Sequence, residues 1–271
     1  MVRDATRVNP VSAALFRPVS TRRTFEEAVE QIADAIRAGD LHTGARLPSE
    51  RDLADRMGIS RPTLREAIKV LADAGVVEVR PGPGGGMYVR TELVPRTLLA
   101  ERSELRVGEV SGVLEARRLL EPRVAQLAGL YATDEDFDAM QRTIDLQREH
   151  GANRDSFLQL DMRFHLAIAR ATRNSTIVSV MRYLLRRLEI ARDMAIREPL
   201  EPEDAIGIHE RTLAAIKSGD PDQIEQAMDE HLAFLEKIWE EESGRARLRK
   251  VPDFLLPHAE RSRPGADAVS M

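Results

Sequence analysis

The chain has 271 residues, which is long for one hydrophobic core and sufficient for two domains. It contains no cysteine, which excludes disulfides, thiolate metal ligands and thiol catalysis. The formal net charge is −5, and residues 109–242 carry 27 acidic against 17 basic side chains, so we expect any nucleic acid contact in the N-terminal part. No apolar run approaches the ~20 residues that a membrane-spanning helix needs. We therefore expect a soluble, cytoplasmic protein with no membrane partner.

The first twenty residues mix charges and prolines without an apolar period, and we expect residues 1–20 to form a flexible arm. A first helix follows, because apolar residues recur at helical spacing until a glycine ends the pattern. The residues that define this helix are Phe25, Val29, Ile32, Ile36 and the stop at Gly39.

Residues 49–74, SERDLADRMGISRPTLREAIKVLADA, have the pattern of two short helices joined by a tight turn. Ser49 and Ser60 are expected to cap the two helices, and Gly58 ends the first. The second helix separates an apolar face from a basic face. Its inward residues are Leu64, Ile68 and Leu71, and its outward residues are Arg61, Arg65 and Lys69.

Residues 76–89, VVEVRPGPGGGMYV, form two alternating segments around a glycine-rich turn, which predicts a β-hairpin wing. A basic stripe alone is typical of a solvated helix face. Together with the caps, the turn and the wing, it indicates a helix-turn-helix that binds DNA. Arg61 and Arg65 are the expected readers of guanine, because a guanidinium can donate to both O6 and N7. Further expected contacts are phosphate contacts from Arg51, Ser60 and Thr63, and a minor-groove approach of the wing backbone at Gly82.

The stretch LPSERDLADRMGISRPTLREAIKVLADAGVVEVRPGPGGGMYV resembles the winged-helix domain of GntR-family transcription regulators. The resemblance implies a domain at 21–91 that binds double-stranded DNA. Pro81 departs from the pattern, since some members of the family carry a polar wing-tip residue there. One such helix reads only a few base pairs, so we expect a homodimer on a palindromic operator. The DNA-contacting positions implied by the resemblance are Arg51, Arg61, Arg65 and Gly82, supported by Ser60 and Thr63.

The remainder of the chain is predicted to be a linker, a helical domain and a tail. The linker spans 92–108, and residues 109–242 have helical spacing almost throughout, with breaks that predict six helices. We expect this domain to bind a ligand and to mediate dimerisation, and we expect residues 243–271 to be a basic, disordered tail. The expected fold is mainly α, an N-terminal winged helix-turn-helix joined to an all-α helical bundle.

Polar residues interrupt the apolar faces of three predicted helices. In FLQLDMRFHLAIAR (157–170), Asp161 and His165 lie one turn apart on or beside the apolar stripe, and His209 and His231 lie within the stripes of later helices. A single histidine on such a face is more often a hydrogen-bonded core residue. Each unpaired buried polar group costs about 1–3 kcal/mol, however, and one divalent metal would satisfy all four. Thiolate-free, nitrogen-rich ligation suits zinc first, with nickel, manganese or iron as alternatives.

Arg117 lies in the middle of another apolar stripe, and a buried arginine needs an anion because it cannot lose its proton. Glu121, one turn further on, is one such anion and would make Arg117 structural. Alternatively, Arg117 and the metal together hold the carboxylate of a small organic acid, the arginine in bidentate fashion.

Two motifs in this half, ExRxxLE from Glu115 to Glu121 and DxxFH from Asp161 to His165, are similar to the FCD effector domain of the FadR subfamily, over 110–238. The resemblance implies that Asn174 lies beside the effector pocket, although the residues alone equally allow Asn174 to cap the next helix. The effector that it implies is a small organic acid. The metal ligands that it implies are Asp161, His165, His209 and His231.

We interpret the chain as a ligand-responsive transcription regulator, expected to be a repressor. A metal-dependent enzyme acting on small carboxylates is a second interpretation, against which stands the lack of a further inward Glu or His placed as a general base. An architectural DNA binder with a purely structural metal is a third interpretation, and an activator is a fourth.

Overall fold

The structure is a computed structural model, and it describes five stretches of the chain. The predicted arm at 1–20 lies outside the described residues, as do most of the predicted linker and most of the predicted tail. The described residues are 24–82, 84–98, 109–151, 153–195 and 202–244.

Three helices and a hairpin form the N-terminal unit. Their bounds are α1 (Thr24–Arg37), α2 (Glu50–Met57), α3 (Arg61–Asp73), β1 (Val77–Arg80) and β2 (Gly86–Val89). The two strands are antiparallel, with Val77 opposite Val89. Ile36, Leu64 and Leu71 are fully buried in the core between the helices and the hairpin. The predicted helix-turn-helix and wing are confirmed.

Local hydrogen bonds explain why the two central helices begin and end where they do. Ser49 caps α2 by accepting the amide of Asp52 at 3.2 Å, and Ser60 caps α3 by accepting the amide of Thr63 at 3.2 Å. Gly58 ends α2 with a φ of 64°, a left-handed conformation that glycine adopts without steric cost. The turn between the helices is therefore fixed by its own residues.

The described residues of the C-terminal unit form six helices, as the breaks in the sequence predict. Their bounds are α4 (Val110–Tyr131), α5 (Asp134–His150), α6 (Arg154–Ala171), α7 (Ser175–Ala195), α8 (Pro202–Ser218) and α9 (Pro221–Ser243). Every residue of α6 from Phe157 to Ala169 is buried. One side of α6 faces the core of the bundle, and Arg163 on another side contacts the N-terminal unit. Among the described helices, none combines the length and apolar character needed to cross a membrane.

Candidate DNA-reading face and histidine cluster

The exposed face of α3 begins with two arginines one turn apart. Arg61 Nε donates to Oε1 of Glu50 at 3.0 Å, and Arg65 Nε donates to Oε2 of the same carboxylate at 2.9 Å. The hydrogen bond from Arg65 lowers the pKa of Glu50. Partial burial of the carboxylate raises it, but the pKa still lies below its usual value. Glu50 thus connects α2 to both arginines and holds them side by side.

The other predicted DNA contacts lie around this face. The hydroxyls of Ser60 and Thr63 share a hydrogen bond of 2.7 Å, which places both of them at the start of α3, where Arg61 also lies. Arg51 projects from α2 with 77% of its side chain exposed. Gly82 lies in the turn of the wing with a φ of 89°, and a Cβ there would meet open space. Contact of these residues with DNA stays a prediction.

Arg46 lies between α3 and the wing, and the sequence did not predict it as a residue of this face. Its backbone pairs with Tyr88 as an extra bridge on β2, and its Nη2 donates to the carbonyl of Gly85 at 2.8 Å. Arg46 and Lys69 line a groove of about 590 Å³ between α3 and the hairpin. A single basic residue in a connector has no periodicity, so the sequence carried no signal for it.

Three histidines from three helices meet in the core of the C-terminal unit. His165 of α6, His209 of α8 and His231 of α9, named here the histidine cluster, are 2%, 1% and 5% exposed. Each offers one ring nitrogen, and these atoms lie within 4.8 Å of one another. The Nε2 atoms of His165 and His231 are 3.1 Å apart. This spacing suits three nitrogen ligands of one ion.

Asp161, one turn before His165 on α6, completes the predicted set. Its Oδ1 lies 3.5 Å from Nε2 of His209, and its Oδ2 lies 3.6 Å from Nε2 of His165. The structure therefore brings three of the predicted ligands within 4.8 Å of one another and places the fourth, Asp161, beside two of them. That they bind a metal stays a prediction.

Each cluster histidine also has a partner on its other ring nitrogen, Nδ1. The distances are 2.9 Å from His165 to Glu121, 2.7 Å from His209 to Gln147 and 3.1 Å from His231 to Thr212. Sequence reasoning missed Gln147 and Thr212, and it considered Glu121 only as a partner of Arg117. Gln and Thr are ordinary helix residues, and nothing in their spacing relates them to a histidine on another helix.

Arg117 is fully buried beside the cluster. Its contacts agree with both predicted roles, a structural ion pair with Glu121 and the binding of a ligand carboxylate. Its Nε donates to Oε1 of Glu121 at 2.5 Å and its Nη2 donates to Oε2 at 3.2 Å, so the structural partner is present. The same Nη2 lies 3.4 Å from Nε2 of His165, at the centre of the site. The guanidinium therefore reaches the atoms that would bind a metal.

Burial and charge set the protonation of two groups in the site. Burial raises the pKa of Glu121, but the charge of Arg117 and the hydrogen bonds from His165 and Arg117 outweigh this effect and bring the pKa to about 2. Burial lowers the pKa of His231 well below its usual value, and the positive charge of Arg117 acts in the same direction. Glu121 is therefore ionised near pH 7, and His231 is neutral, which is the form in which an imidazole binds a metal.

Asn174 lies at the start of α7, where its side chain is a helix cap. Its Oδ1 accepts the amides of Thr176 at 3.0 Å and Ile177 at 3.2 Å, and the residue is exposed. These contacts support the capping interpretation, and neither of them involves the histidine cluster. A role for Asn174 in effector binding stays a prediction.

The side of α6 away from the cluster holds the N-terminal unit. Arg163 donates to the last carbonyls of α1, from Nη2 to Ile36 at 3.0 Å and from Nε to Arg37 at 3.2 Å, and forms an ion pair with Glu92. Gln159, one turn earlier, accepts the amide of Val94 at 3.0 Å. One helix therefore contacts both the histidine cluster and the segment that follows the wing.

A helix-turn-helix with a two-stranded wing, joined to a helical domain with a buried polar site, defines a two-domain DNA-binding regulator. Residues 24–89 match the model of bacterial regulatory proteins of the gntR family, and residues 112–234 match the FCD domain. The chain belongs to the GntR family of transcriptional regulators, and it is a regulator and not an enzyme.

Two relatives and two solved structures illustrate the family. The chain is 33% identical to the Uxu operon transcriptional regulator of Escherichia coli K12, over 79% of this chain and 85% of that protein. It is 25% identical to the transcriptional repressor NanR of Escherichia coli, over 82% of this chain and 87% of that protein. It is similar to the structure of Streptococcus agalactiae GntR, with 24% identity and a TM-score of 0.42, over 77% of this chain and 97% of that chain. It is also similar to Escherichia coli McbR/YncC, with 21% identity and a TM-score of 0.44, over 81% of this chain and 99% of that chain.

Proposed function

We propose that the chain is a repressor that binds a palindromic operator as a homodimer, and that a small organic acid bound at a metal in the helical domain changes this binding. The arrangement that carries the proposal is the convergence of the histidine cluster, Asp161 and the Arg117 guanidinium in one buried site. We assign operator reading to 21–91 and ligand binding with dimerisation to 109–242. Because the partner is chromosomal DNA, we place the protein in the cytoplasm.

The donor set fits a divalent cation. Three neutral imidazoles and one carboxylate are the ligands that zinc accepts, and nickel, manganese and iron are the alternatives. We propose that the histidine cluster and Asp161 hold the ion. When bound, the ion would supply a Lewis acid for a carboxylate oxygen of the effector.

The effector class follows from the charge beside the cluster. Arg117 binds Glu121 through Nε and Nη2, and Nη2 also lies 3.4 Å from Nε2 of His165, so a carboxylate bound at the metal would lie beside the guanidinium. A carboxylate shared by a cation and an arginine is favourable in a site that excludes water. We therefore propose a small organic acid that is bound by the metal and Arg117 together, without Asn174.

Operator reading is assigned to the start of α3. The positions of Arg61 and Arg65 support a role for both in contacting guanine, because Glu50 holds their Nε atoms while the two side chains stay 55% and 61% exposed. We assign phosphate contacts to Arg51, Ser60 and Thr63, and the wing approach to Gly82.

Exposed apolar side chains on two adjacent helices support the homodimer. The helices α4 and α7 pack against each other, and both expose large apolar groups. A surface of this kind is typical of a face that another protein covers. The residues concerned are Leu119, Leu120, Val180 and Tyr183, which are 45%, 37%, 45% and 61% exposed.

We propose that α6 carries the signal between the two units. Binding at Asp161 and His165 would move a helix whose other side is bonded to the end of α1 and to Glu92 through Arg163. Such a shift changes operator binding only if the acid prefers one arrangement of the helices.

The deciding experiment is metal analysis of the purified protein followed by a thermal-shift screen of small carboxylic acids. We expect one divalent ion per chain and an acid that stabilises only the metal-loaded protein, by about 2.7 kcal/mol at a hundred times its Kd. If chelation lowers the Tm but no acid raises it, the metal is purely structural and the effector assignment is wrong.

A further inference from the structure

The partners of the histidine cluster on its Nδ1 side share one property, which is that each accepts a hydrogen bond. They are named here the three acceptors, and they are Glu121 on α4, Gln147 on α5 and Thr212 on α8. Their exposed fractions are 2%, 0% and 1%, so no solvent competes for these contacts. Each one lies against a different histidine, within hydrogen-bond distance of its Nδ1.

The direction of each hydrogen bond follows from the chemistry of the acceptor. Both oxygens of Glu121 accept hydrogen bonds from the buried guanidinium of Arg117, so Glu121 is the carboxylate of an ion pair and has no proton to give. Thr212 has one hydroxyl proton, which it donates to the carbonyl of Ile208 at 2.9 Å, so its oxygen accepts from His231. Gln147 presents Oε1, a carbonyl oxygen that only accepts. All three histidines therefore donate from Nδ1.

A neutral imidazole with its proton on Nδ1 has its lone pair on Nε2. Three such lone pairs then face one another inside the protein, and two of the Nε2 atoms are 3.1 Å apart. Nη2 of Arg117 lies 3.4 Å from Nε2 of His165 and can donate to it, but without a shared proton or a cation between them the three nitrogens still repel each other. The arrangement is favourable when one ion accepts all three lone pairs.

We propose that the three acceptors are positioning residues, which hold the histidine cluster in the tautomer protonated on Nδ1 and so present three Nε2 ligands to one metal ion. The inference rests on the proposed metal site and goes one step further, because it assigns roles to residues that do not touch the ion. Outer partners of this kind orient the ring and raise its basicity, and their loss weakens metal binding about 10- to 100-fold.

The three acceptors differ in strength, which predicts an order of effects. A hydrogen bond to an ionised carboxylate is about twice as strong as one between neutral groups, so Glu121 makes His165 the strongest ligand. Glu121 also holds Arg117, and this contact joins the proposed effector site to a metal ligand. Replacing Glu121 would therefore disturb both, while Thr212 and Gln147 each affect one histidine.

Thr212 offers the cleanest test, because valine has its shape without its hydroxyl. We expect Thr212→Val to weaken zinc binding about 10-fold, measured by competition with a chromophoric chelator, and Thr212→Ser to keep the affinity within about twofold. Thr143→Val is the matched control. Thr143 is also buried, and its hydroxyl donates to a backbone carbonyl, that of Ala139 at 2.9 Å. Its loss should leave zinc affinity unchanged.

A second readout reports the tautomer itself. Long-range nitrogen–proton NMR of the metal-free protein should show the His231 proton on Nδ1 in the parent chain and a mixture of tautomers in Thr212→Val. If Thr212→Val does not fold, Gln147→Met against Gln147→Glu makes the same comparison at His209. A parent chain that binds no zinc would overturn the metal site itself. Equal zinc affinity of the parent and Thr212→Val, or a His231 proton on Nε2, would overturn the positioning role alone.

Discussion

Arg163 pairs with Glu92 on the side of α6 that faces away from His165, so one helix joins the proposed sensor site to the chain that leaves the wing. Arg163 is two residues from both Asp161 and His165, and a helix turns about 200° over two residues. The sensor ligands and the contact to the N-terminal unit therefore cannot move independently.

We expect Arg163→Met to abolish the change in operator affinity that an effector causes, while the effector-free protein still binds operator. Without the guanidinium, Glu92 and the carbonyl of Ile36 lose a buried partner, which should lower the free energy of unfolding by about 1–3 kcal/mol. Fluorescence anisotropy with labelled operator, with and without the acid found by thermal shift, measures the response.

The control for this variant is Arg182→Ala, which removes a more exposed ion pair with Asp40 at 2.9 Å across the same contact. An exposed pair contributes about 0–1 kcal/mol, so this variant should respond normally. A full effector response in Arg163→Met would show that the signal travels by another route.

At the operator, Arg65→Ala should cost about 1–3 kcal/mol of binding free energy and relax specificity at one base position. The reason is that a guanidinium reads guanine through two donors, while the held Nε of Arg65 keeps the side chain directed. Arg51→Ala is the comparison, since a phosphate contact is lost equally on every sequence. Anisotropy titrations on single-base operator variants at fixed salt distinguish the two, and a loss for Arg65→Ala that is uniform over all sequences would make it a phosphate contact.

The residues of the site differ in how far the sequence could predict them. Asp161 and His165 are predictable because their spacing of four places them on one helix face, and His209 and His231 because each interrupts an apolar stripe. Helical period is a local property, and it locates residues that belong to the same element. The convergence of three helices is not local, which is why the pattern does not reveal the partners of those histidines.

The same distinction applies to the fold. The caps at Ser49 and Ser60 and the left-handed Gly58 are decided by neighbouring residues, and the sequence predicts all three. The contact of Arg163 with α1 depends on how the two units pack, and no pattern within α6 indicates it.

Acid should destabilise the metal-free protein in two steps. The folded-state pKa of His231 lies well below its usual value of 6.5, so the unfolded chain takes up a proton first and stability falls as the pH drops below 6.5. The folded-state pKa of Glu121 is about 2 against 4.5, so its contribution is present above pH 4.5 and is lost between pH 4.5 and 2. Each step has a slope of at most about 1.4 kcal/mol per pH unit.

Urea denaturation in a chelator at a series of pH values measures both steps. His231→Asn should flatten the step that starts below pH 6.5, and Glu121→Gln should flatten the step below pH 4.5. Zinc should oppose the first step, because the ion competes with protons for the same imidazole. A stability that is constant from pH 7 to pH 5 without metal would contradict the buried, neutral state of His231.

Tyr183→Glu should convert the proposed dimer into a monomer. Tyr183 is 61% exposed on α7, which packs against α4, and a charge there would have to be desolvated to form the interface. Because each protomer reads only half of a palindrome, we also expect weaker operator binding that recovers at high protein concentration. Tyr131→Glu is the control: Tyr131 is 56% exposed at the end of α4, about 16 Å beyond Leu120 at 1.5 Å per residue. Sedimentation velocity gives the oligomeric state, and a dimeric Tyr183→Glu protein would place the interface on another face.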